Sequence, residues 1–323
     1  MEKLKMGTRS TQDSKIKAFS LRVLEAMNHR KVRLLRWLVQ IISFFAINLG
    51  IFGVTIGWKI PLPIEQPGGA PFTVVLSAFE IFQQFISGGI FPFLVFGITL
   101  IIGGIFGRML CGWVCAFGFF QDLLKKVPVK KLKISKPLNK GLRDIRAVIF
   151  WAVIIIVGFV GYKELIGESV TTGFGNFANQ PWTPLNPAAT LFVFFFYLIF
   201  WRYYPGGDPD FSASTWTFMF YFRIILLLAV VVLSIFIPRF YCRYVCPTGY
   251  IMGFTAKYSL IGIARNPARC TKCGKCEDMC EKEAMQVPIL DYSYERVRDP
   301  NCTNCGACLD ACPHGAIHFK FKG

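Results

Sequence analysis

Eight of the chain's twelve cysteines stand in two short runs within the last 54 of its 323 residues. The first run reads CTKCGKCEDMC from Cys270, and the second reads CTNCGACLDAC from Cys302. Both have the spacing C-x2-C-x2-C-x3-C, a ligand pattern of iron–sulfur clusters. The runs are too cramped for a disulfide framework. They predict two [4Fe–4S] clusters in this part of the chain.

The pairing of the two runs follows from the bacterial ferredoxin fold that uses this spacing, in which the fourth cysteine of each run binds the other run's cluster. The first cluster is therefore assigned to Cys270, Cys273, Cys276 and Cys312, and the second to Cys302, Cys305, Cys308 and Cys280. A small α+β domain over residues 263–323 is expected, with strands at Ala284–Val287 and Ala316–Phe319. A zinc ribbon is the alternative for cysteines in such runs.

The other four cysteines belong to an internal repeat. Arg108–Phe119 reads RMLCGWVCAFGF and Arg239–Tyr250 reads RFYCRYVCPTGY, so that Cys111 matches Cys242 and Cys115 matches Cys246. Because residues i and i+4 share one face of a helix, each pair is expected on a single helix face, with the two pairs meeting. Four such thiolates predict a third iron–sulfur cluster. Buried structural thiols, a disulfide within each pair and a structural zinc are open alternatives.

The composition predicts that these cysteines are carried by a membrane protein. The chain is 54% hydrophobic, contains 33 Phe and is only 17% charged, which is unusual for a soluble protein of this length. Four segments are apolar and long enough to be predicted as transmembrane helices: Leu34–Gly57, Ile90–Phe106, Ala147–Tyr162 and Trp216–Ile237. Two further apolar stretches, Phe72–Ser87 and Ala188–Trp201, are interpreted as re-entrant or interfacial helices.

The formal net charge of +17 is explained by the orientation of these spans. With four spans, the residues up to Arg36, the loop from Gly107 to Arg146 and the part from Pro238 onwards hold 32 Lys and Arg, whereas the outer loops hold three. This bias follows the positive-inside rule and argues against a nucleic-acid partner. We expect a basic cytoplasmic arm over 1–33, a pseudo-two-fold four-helix membrane domain over 34–262, and both termini and the ferredoxin domain on the cytoplasmic side of a prokaryotic inner membrane.

The remaining polar residues narrow the cofactors. The three histidines, His29, His314 and His318, all lie outside the predicted spans, so no haem is expected. Glu80 and Arg223 stand at apolar depth, where ionisable residues are functional candidates by default. We interpret them as candidate quinone-site residues, the alternative being that both face the outer solution.

The combination of CGWVCAFG, CRYVCPTG, four spans and a C-terminal two-cluster module resembles the NapH-type polyferredoxins, a group of membrane quinol dehydrogenase subunits. The wider group includes NosR-type regulators and CcoG-type oxidase assembly factors. Members usually carry C-x3-C-P twice, whereas Ala116 follows Cys115 here. The resemblance implies electron exchange between membrane quinol and an iron–sulfur or flavin partner. A reductive assembly or regulatory factor and a membrane anchor for a soluble redox partner are the other classes considered.

Overall fold

The computed structural model describes residues 31–49, 59–65, 73–132, 134–167, 180–195, 218–283, 286–293 and 295–321. Residues 1–30 of the predicted basic arm lie outside these ranges, and Lys31 begins the first helix. In chain order the helices and strands are α1 Lys31–Ile47, β1 Ile60–Leu62, β2 Val75–Ser77, α2 Ala78–Ser87, α3 Phe93–Phe106, α4 Met109–Trp113, α5 Ala116–Leu124, α6 Lys136–Leu165, α7 Pro187–Ala189, α8 Phe218–Phe236, α9 Phe240–Tyr244, α10 Pro247–Ala256, β3 Ile261–Arg265, α11 Lys275–Glu283, α12 Ala307–Ala311 and β4 Ile317–Phe321.

The four predicted spans overlap α1, α3, α6 and α8. Among the described residues, one helix, Pro137–Leu165 within α6, is both long and apolar enough to cross a membrane, while Phe93–Phe106 and Tyr221–Phe236 are shorter apolar helices. Helix α1 ends at Ile47, and residues 50–57 of its predicted span lie outside the described ranges. The four-span arrangement therefore stays a prediction.

These four helices share one property, an outward face of large apolar side chains. On α6, for example, Val148, Ile155 and Phe159 are 67%, 68% and 57% exposed. Comparable side chains on the other three helices are Leu38 and Ile42 on α1, Phe93 and Ile101 on α3, and Ile225 and Leu228 on α8. Apolar surface of this extent marks an interaction with a membrane or a partner.

Of the predicted stretch Phe72–Ser87, the structure describes residues 73–87, which form β2 followed by α2 and are largely buried. β1 and β2 pair in parallel, with Ile60 opposite Val75. α2 then runs alongside α6 in the same direction. Phe79, near the start of α2, contacts Phe150 of α6, and Ile86, near the end of α2, lies against Gly161 further along α6. The second stretch begins with α7 and a π-helical turn, Thr190–Phe195, and its residues 196–201 lie outside the described ranges.

The C-terminal module is built on an antiparallel pair, β3 with β4, in which Ile261 lies opposite Phe321. β4 agrees with the strand predicted at Ala316–Phe319. The other predicted strand is wrong in its described part, because Gln286 and Val287 are not in a strand. The partner of β4 is β3 instead of the predicted strand. The residues of β3 from Gly262 to Arg265 are buried. The module's apolar core lies beneath this sheet and includes Ile263, Val287, Ile289, Val297 and Ile317.

Candidate iron–sulfur sites

The structure groups the ferredoxin cysteines around two cavities. One cavity is lined by Cys280, Cys302, Cys305 and Cys308. The other is lined by Cys270, Cys273, Cys276 and Cys312. In each group, three cysteines come from one run and the fourth comes from the other run. Helices α11 and α12 pack together, which lets the last cysteine of each run reach the opposite cavity.

The backbone turns in the same way around both cavities. Lys272 and Gly274 in the first run, and Asn304 and Gly306 in the second, have positive φ angles between 49° and 76°. Residues with side chains adopt this conformation at a cost, and glycine adopts it freely. Two left-handed residues per run curl the chain around its thiols, as ligands of a compact inorganic core require.

The arrangement fits a multi-atom cluster better than a single ion. Within the described ranges, no three His, Cys, Asp or Glu side chains meet where one metal ion could bind, whereas the thiols line two cavities. Burial raises the pKa of the Cys302 thiol to about 12 and that of Cys276 to about 11. A bound cationic core is therefore needed to hold them as thiolates.

The two cavities differ in exposure. Cys273 is exposed, whereas Cys308 is buried. A hydrogen bond from Arg265 lowers the pKa of the Cys270 thiol, while burial raises that of Cys280. Exposed basic side chains surround the first cavity: Arg269, Lys272 and Lys275. Of the two sites, the Cys270 site therefore faces the solvent and the Cys302 site faces the rest of the chain.

The two copies of the repeat have the same backbone around their cysteines, although Arg108 has a φ of −86° and the equivalent Arg239 a φ of 54°. α4 ends at Trp113 and α9 ends at Tyr244, and in both copies the second cysteine is extended, with φ and ψ of −60° and 118° at Cys115 and −61° and 115° at Cys246. The expectation that each pair lies on one helix face is therefore wrong. Cys111 lies in α4 and Cys242 lies in α9. Cys115 is the N-cap residue of α5, and Cys246 is the N-cap residue of α10.

This break brings the four thiols of the repeat together, all buried. Burial raises the pKa of the Cys115 thiol, and the neighbouring Cys242 and Cys111 raise it further. Burial likewise raises the pKa of Cys242 to about 11, against the lowering effect of Arg239 and Arg108. The pseudo-symmetric meeting of Cys111, Cys115, Cys242 and Cys246 agrees with the prediction from the repeat. We name this group the four-cysteine site.

The charged surroundings of the four-cysteine site fit an anionic cluster, because four thiolates outweigh the positive charge of an iron–sulfur core. Arg108 lies close enough to Cys242 to interact with its thiol. Arg146 lies close enough to interact with the thiols of Cys246 and Cys111. Arg108 Nε and Arg146 Nη1 are buried without a hydrogen-bond partner among the described residues. Unpaired buried donors of this kind are costly unless a bound group satisfies them.

Sequence reasoning missed a carboxylate at this site. Glu65 is 2% exposed, and its Oε2 accepts hydrogen bonds from Cys246 Sγ at 3.2 Å and Thr248 Oγ1 at 2.9 Å. Its Oε1 accepts from Trp182 Nε1 at 3.1 Å and Tyr241 Oη at 3.2 Å. The only signal in the sequence was a single acid between Lys59 and Glu80 in an apolar stretch.

A second buried carboxylate, Asp122, joins the repeat to α1. Its oxygens accept from Arg239 Nε at 2.8 Å, Gln40 Nε2 at 3.0 Å and Arg36 Nη2 at 3.2 Å. Burial alone would raise the pKa of this carboxyl, but the charges of Arg239 and Lys125 hold it well below its usual range. Asp122 therefore stays ionised among buried cations.

The four-cysteine site lies directly against the Cys302 site. Arg108 donates to Cys242 O and to Pro300 O, both at 3.2 Å, and Trp113 Nε1 donates to Asn304 O at 2.9 Å. A Cβ on Gly112 would stand 2.7 Å from Thr303 O, and one on Gly253 would stand 2.9 Å from Pro300 O. The first copy of the repeat, and Gly253 just after the second copy, thus contact the loop that carries the second ferredoxin run.

The predicted quinone-site residues lie elsewhere. Glu80 is buried in α2, and its Oε1 accepts from Asn186 Nδ2 at 3.2 Å. Arg223 is half-buried in α8, and its Nε has no hydrogen-bond partner among the described residues. Their role in a quinone site stays a prediction.

Comparison with known families agrees with this geometry. Residues 89–135 and 219–265 each match a 4Fe-4S binding domain, one match per copy of the repeat. Residues 269–317 match a 4Fe-4S dicluster domain. The chain is an iron–sulfur protein. No solved structure matches it.

Several curated proteins are similar to part of this chain. NirI of Paracoccus denitrificans is 25% identical over 53% of this chain and 20% of its own length. The regulatory protein NosR of Stutzerimonas stutzeri is 28% identical over 56% of this chain and 21% of its own. YccM of Escherichia coli, which is named for electron transport, is 34% identical over 56% of this chain and 43% of its own. The iron–sulfur chain thus resembles NosR- and NirI-like proteins, of which it spans about a fifth.

Proposed function

We propose that this protein is a membrane-bound electron-transfer subunit of the NapH type, which passes electrons between a membrane quinol pool and a redox partner. The observation that carries the proposal is the contact between the four-cysteine site and the Cys302 site through Arg108 and Trp113. Three sites of four cysteines then follow one another, from the helical bundle to the exposed Cys270 site.

The residues of this chain would hold three [4Fe–4S] clusters, one each at the four-cysteine site, the Cys302 site and the Cys270 site. When bound, such clusters accept and give up single electrons. The chain's contribution is to fix their order and to exclude water. The bundle encloses the first site, and backbone contacts at Gly112 and Gly253 hold the second site against it. The similarity to NosR and to the electron transport protein YccM supports this proposal.

Four membrane spans, with both termini on the cytoplasmic side, are part of the proposal. The exposed apolar faces of α1, α3, α6 and α8 support it, as does the distribution of Lys and Arg. The exposed basic side chains around the Cys270 site favour a redox partner with an acidic docking surface, because such a surface speeds encounter. Arg269, Lys272 and Lys275 would make that contact.

The test is iron and sulfide analysis of pure protein, followed by anaerobic addition of a menaquinol analogue. We expect about twelve iron atoms per chain, and about eight in Cys242→Ser, since each [4Fe–4S] cluster holds four. Val245→Ser is the matched control, because it introduces a serine into the same motif and leaves all thiols in place. Equal iron contents in Cys242→Ser and the control would overturn the third cluster.

Reduction of the clusters by the menaquinol analogue separates the candidate functions. Reduction supports electron exchange with membrane quinol. Clusters that are reduced only by a soluble ferredoxin, or that when reduced pass electrons to copper(II), would instead favour a reductive assembly factor, and the quinol link would be withdrawn. Clusters that exchange electrons with none of these reagents would favour an anchoring role.

A further inference from the structure

A cleft lies where the N-terminal part of α6 meets α10 and the loop that carries the second ferredoxin run. It holds about 390 Å³, a volume typical of small-molecule sites. The two helices line it with both charged and aromatic side chains, and the ferredoxin loop lines it with Pro300 and Asn301. A ligand in this cleft would therefore contact the helical bundle and the ferredoxin module together.

The charges that line the cleft are mostly positive. They are those of Lys140, Arg143 and Arg146 on α6 and of Lys257 on α10, against one acid, Asp144. Among the described residues, no ion pair joins this acid to any of the four cations. The excess of positive charge favours an anionic ligand.

Arg146 is the buried member of this basic group. It is 6% exposed, and its Nη2 donates to Asn301 Oδ1 at 2.9 Å. Neither a thiol of the four-cysteine site nor any other described group accepts from its Nη1. The like charges of Arg108 and Arg143 are close enough to act on it. A buried donor among like charges is costly until an anion is bound beside it.

The cleft lies at the polar end of the span predicted in α6. Residues 136–146 contain four Lys and Arg, whereas residues 147–162 contain no charged residue. On α10, Phe254 and Tyr258 line the same cleft and are 68% and 62% exposed. Basic and aromatic side chains occur together at the level of the lipid headgroups.

An apolar track continues from the cleft along α6. Asp144 and Ala147 line the cleft. Trp151 and Ile155 follow them at helical spacing on the same face of the helix, and they are 55% and 68% exposed. Hydrocarbon chains attached to an anion in the cleft would lie against this face. A soluble phosphate compound has no group that would use it.

We propose that this cleft binds the phosphate headgroup of an anionic phospholipid, whose acyl chains lie against Trp151 and Ile155. Lys140, Arg143 and Lys257 neutralise the headgroup. The bound lipid bridges α6, α10 and the ferredoxin loop. This inference goes beyond the proposed function, because it rests on the membrane location and not on electron transfer.

Native mass spectrometry of the full chain in a mild detergent counts bound lipids. The protein is titrated with phosphatidylglycerol and, separately, with phosphatidylcholine, which has the same phosphate but no net charge. We expect one phosphatidylglycerol to bind at least about tenfold more tightly than phosphatidylcholine. Arg143→Gln and Lys257→Gln should each weaken it about fivefold, the effect of one cation near the lipid surface. Lys130→Gln removes an exposed lysine outside the cleft and should leave binding unchanged.

Two further variants test the charge and the space of the cleft separately. Asp144→Asn removes the acid and should strengthen phosphatidylglycerol binding by about the factor that each Gln variant loses. Ala147→Phe fills the cleft without changing its charge and should weaken binding at least about fivefold. Val148→Phe, at the next position and 67% exposed, is the matched control and should bind as the wild type does.

Glycerol phosphate distinguishes a lipid from a soluble phosphate compound, because it has the headgroup chemistry and no acyl chains. It should not displace phosphatidylglycerol at equal concentration, and displacement would overturn the proposal in favour of a soluble anion. Equal affinities for the two phospholipids would indicate adventitious lipid only. Unchanged phosphatidylglycerol binding in both Arg143→Gln and Lys257→Gln would also rule out this site.

Failure of the site and failure of the membrane location are distinguishable. If the protein is released from cell membranes only by detergent but its bound lipids do not discriminate, the location stands and the lipid site is wrong. If the protein is recovered without detergent in the soluble fraction, the location itself is wrong and the lipid site falls with it. Reduction of the clusters by the menaquinol analogue is measured independently of both.

Discussion

The two copies of the repeat present their thiols on the same backbone and surround them with different side chains. Val114 and Val245, between the paired cysteines, have φ of −114° and −117°. The amides of Cys115 and Cys246 donate to Leu110 O and Tyr241 O, both at 2.9 Å. Ligand geometry is thus duplicated, as binding one symmetric group from two sides requires.

The side chains at equivalent positions serve different neighbours. Asp122, three residues after the first copy, pairs with Arg36 and Arg239. The equivalent position after the second copy is Gly253, which lets the ferredoxin loop approach. Phe117 corresponds to Thr248, which bonds Glu65. Asp122 therefore ties the end of the first copy to α1 and to Arg239 of the second copy, and Thr248 ties the second copy to Glu65. The backbone around the cysteines is duplicated, whereas the side chains beyond them are not.

The largest effect is expected from removing the carboxylate of Asp122, which the equivalent position after the second copy lacks. Asp122→Asn removes the counter-ion that pairs with the buried Arg239, and breaking a buried ion pair in this way costs about 3–5 kcal/mol. Thermal unfolding of the detergent-purified protein measures this loss. Asp144→Asn, an exposed carboxylate on α6, is the control and should stay within about 0.5 kcal/mol.

The pH dependence of this difference has a defined sign. Asp122 has a depressed pKa in the folded chain, so its contribution is complete above the unfolded value of about 4 and is lost as pH falls towards the folded pKa. The stability difference between wild type and Asp122→Asn should therefore be constant from pH 5 to 8 and shrink only below about pH 4. A difference that already shrinks near neutral pH would contradict the ionised assignment.

A smaller effect is expected where both copies meet the ferredoxin module. Gly112→Ala and Gly253→Ala each place a methyl group within 3 Å of a backbone oxygen, and the overpacking should cost about 1–3 kcal/mol. Limited proteolysis should then release the ferredoxin module faster. Gly104→Ala has no atom within 4 Å of its added methyl and serves as the control. Equal rates of proteolytic release in all three variants would show that the contacts at Gly112 and Gly253 do not hold the ferredoxin module against the repeat.

The next comparison concerns Glu65, which touches one copy through its carboxylate and the other through its backbone oxygen. Glu65→Gln removes a negative charge beside the thiols and should raise the midpoint potential of a cluster there by roughly 50–150 mV. A spectroscopic redox titration measures the shift. Glu80→Gln is the matched control, since its carboxylate bonds Asn186 instead. A similar shift in both variants would contradict the placement of Glu65.

The sequence predicted which cysteines lie together, and it predicted their surroundings less well. Fixed spacing identified Cys270 and Cys302 with their partners, and an internal repeat identified Cys111 and Cys242, because ligand spacing is a local property. The extended backbone at Cys115 was missed, although Pro247 after the equivalent Cys246 favours an extended residue at that position. Glu65 was missed because its role depends on contacts with Trp182, Tyr241 and Thr248, which lie far from it in the chain.

The smallest effect is expected at the residue after the second cysteine, where the copies differ by a single ring. Pro247 occupies the first position of α10, and Ala116 the first position of α5. Proline is favoured there because its missing N–H is not needed and its φ is already helical. Cys115 has the extended conformation that proline requires of its predecessor.

Ala116→Pro should therefore stabilise the chain by about 0.4–1 kcal/mol, and Pro247→Ala should destabilise it by the same amount, because proline restricts the unfolded chain. Chemical unfolding of both variants checks the symmetry of the two effects. Ala116 is fully buried, so the new ring must fit among its neighbours. A loss of stability in Ala116→Pro, with the expected loss in Pro247→Ala, would show that the packing around the two copies differs even where their backbones agree.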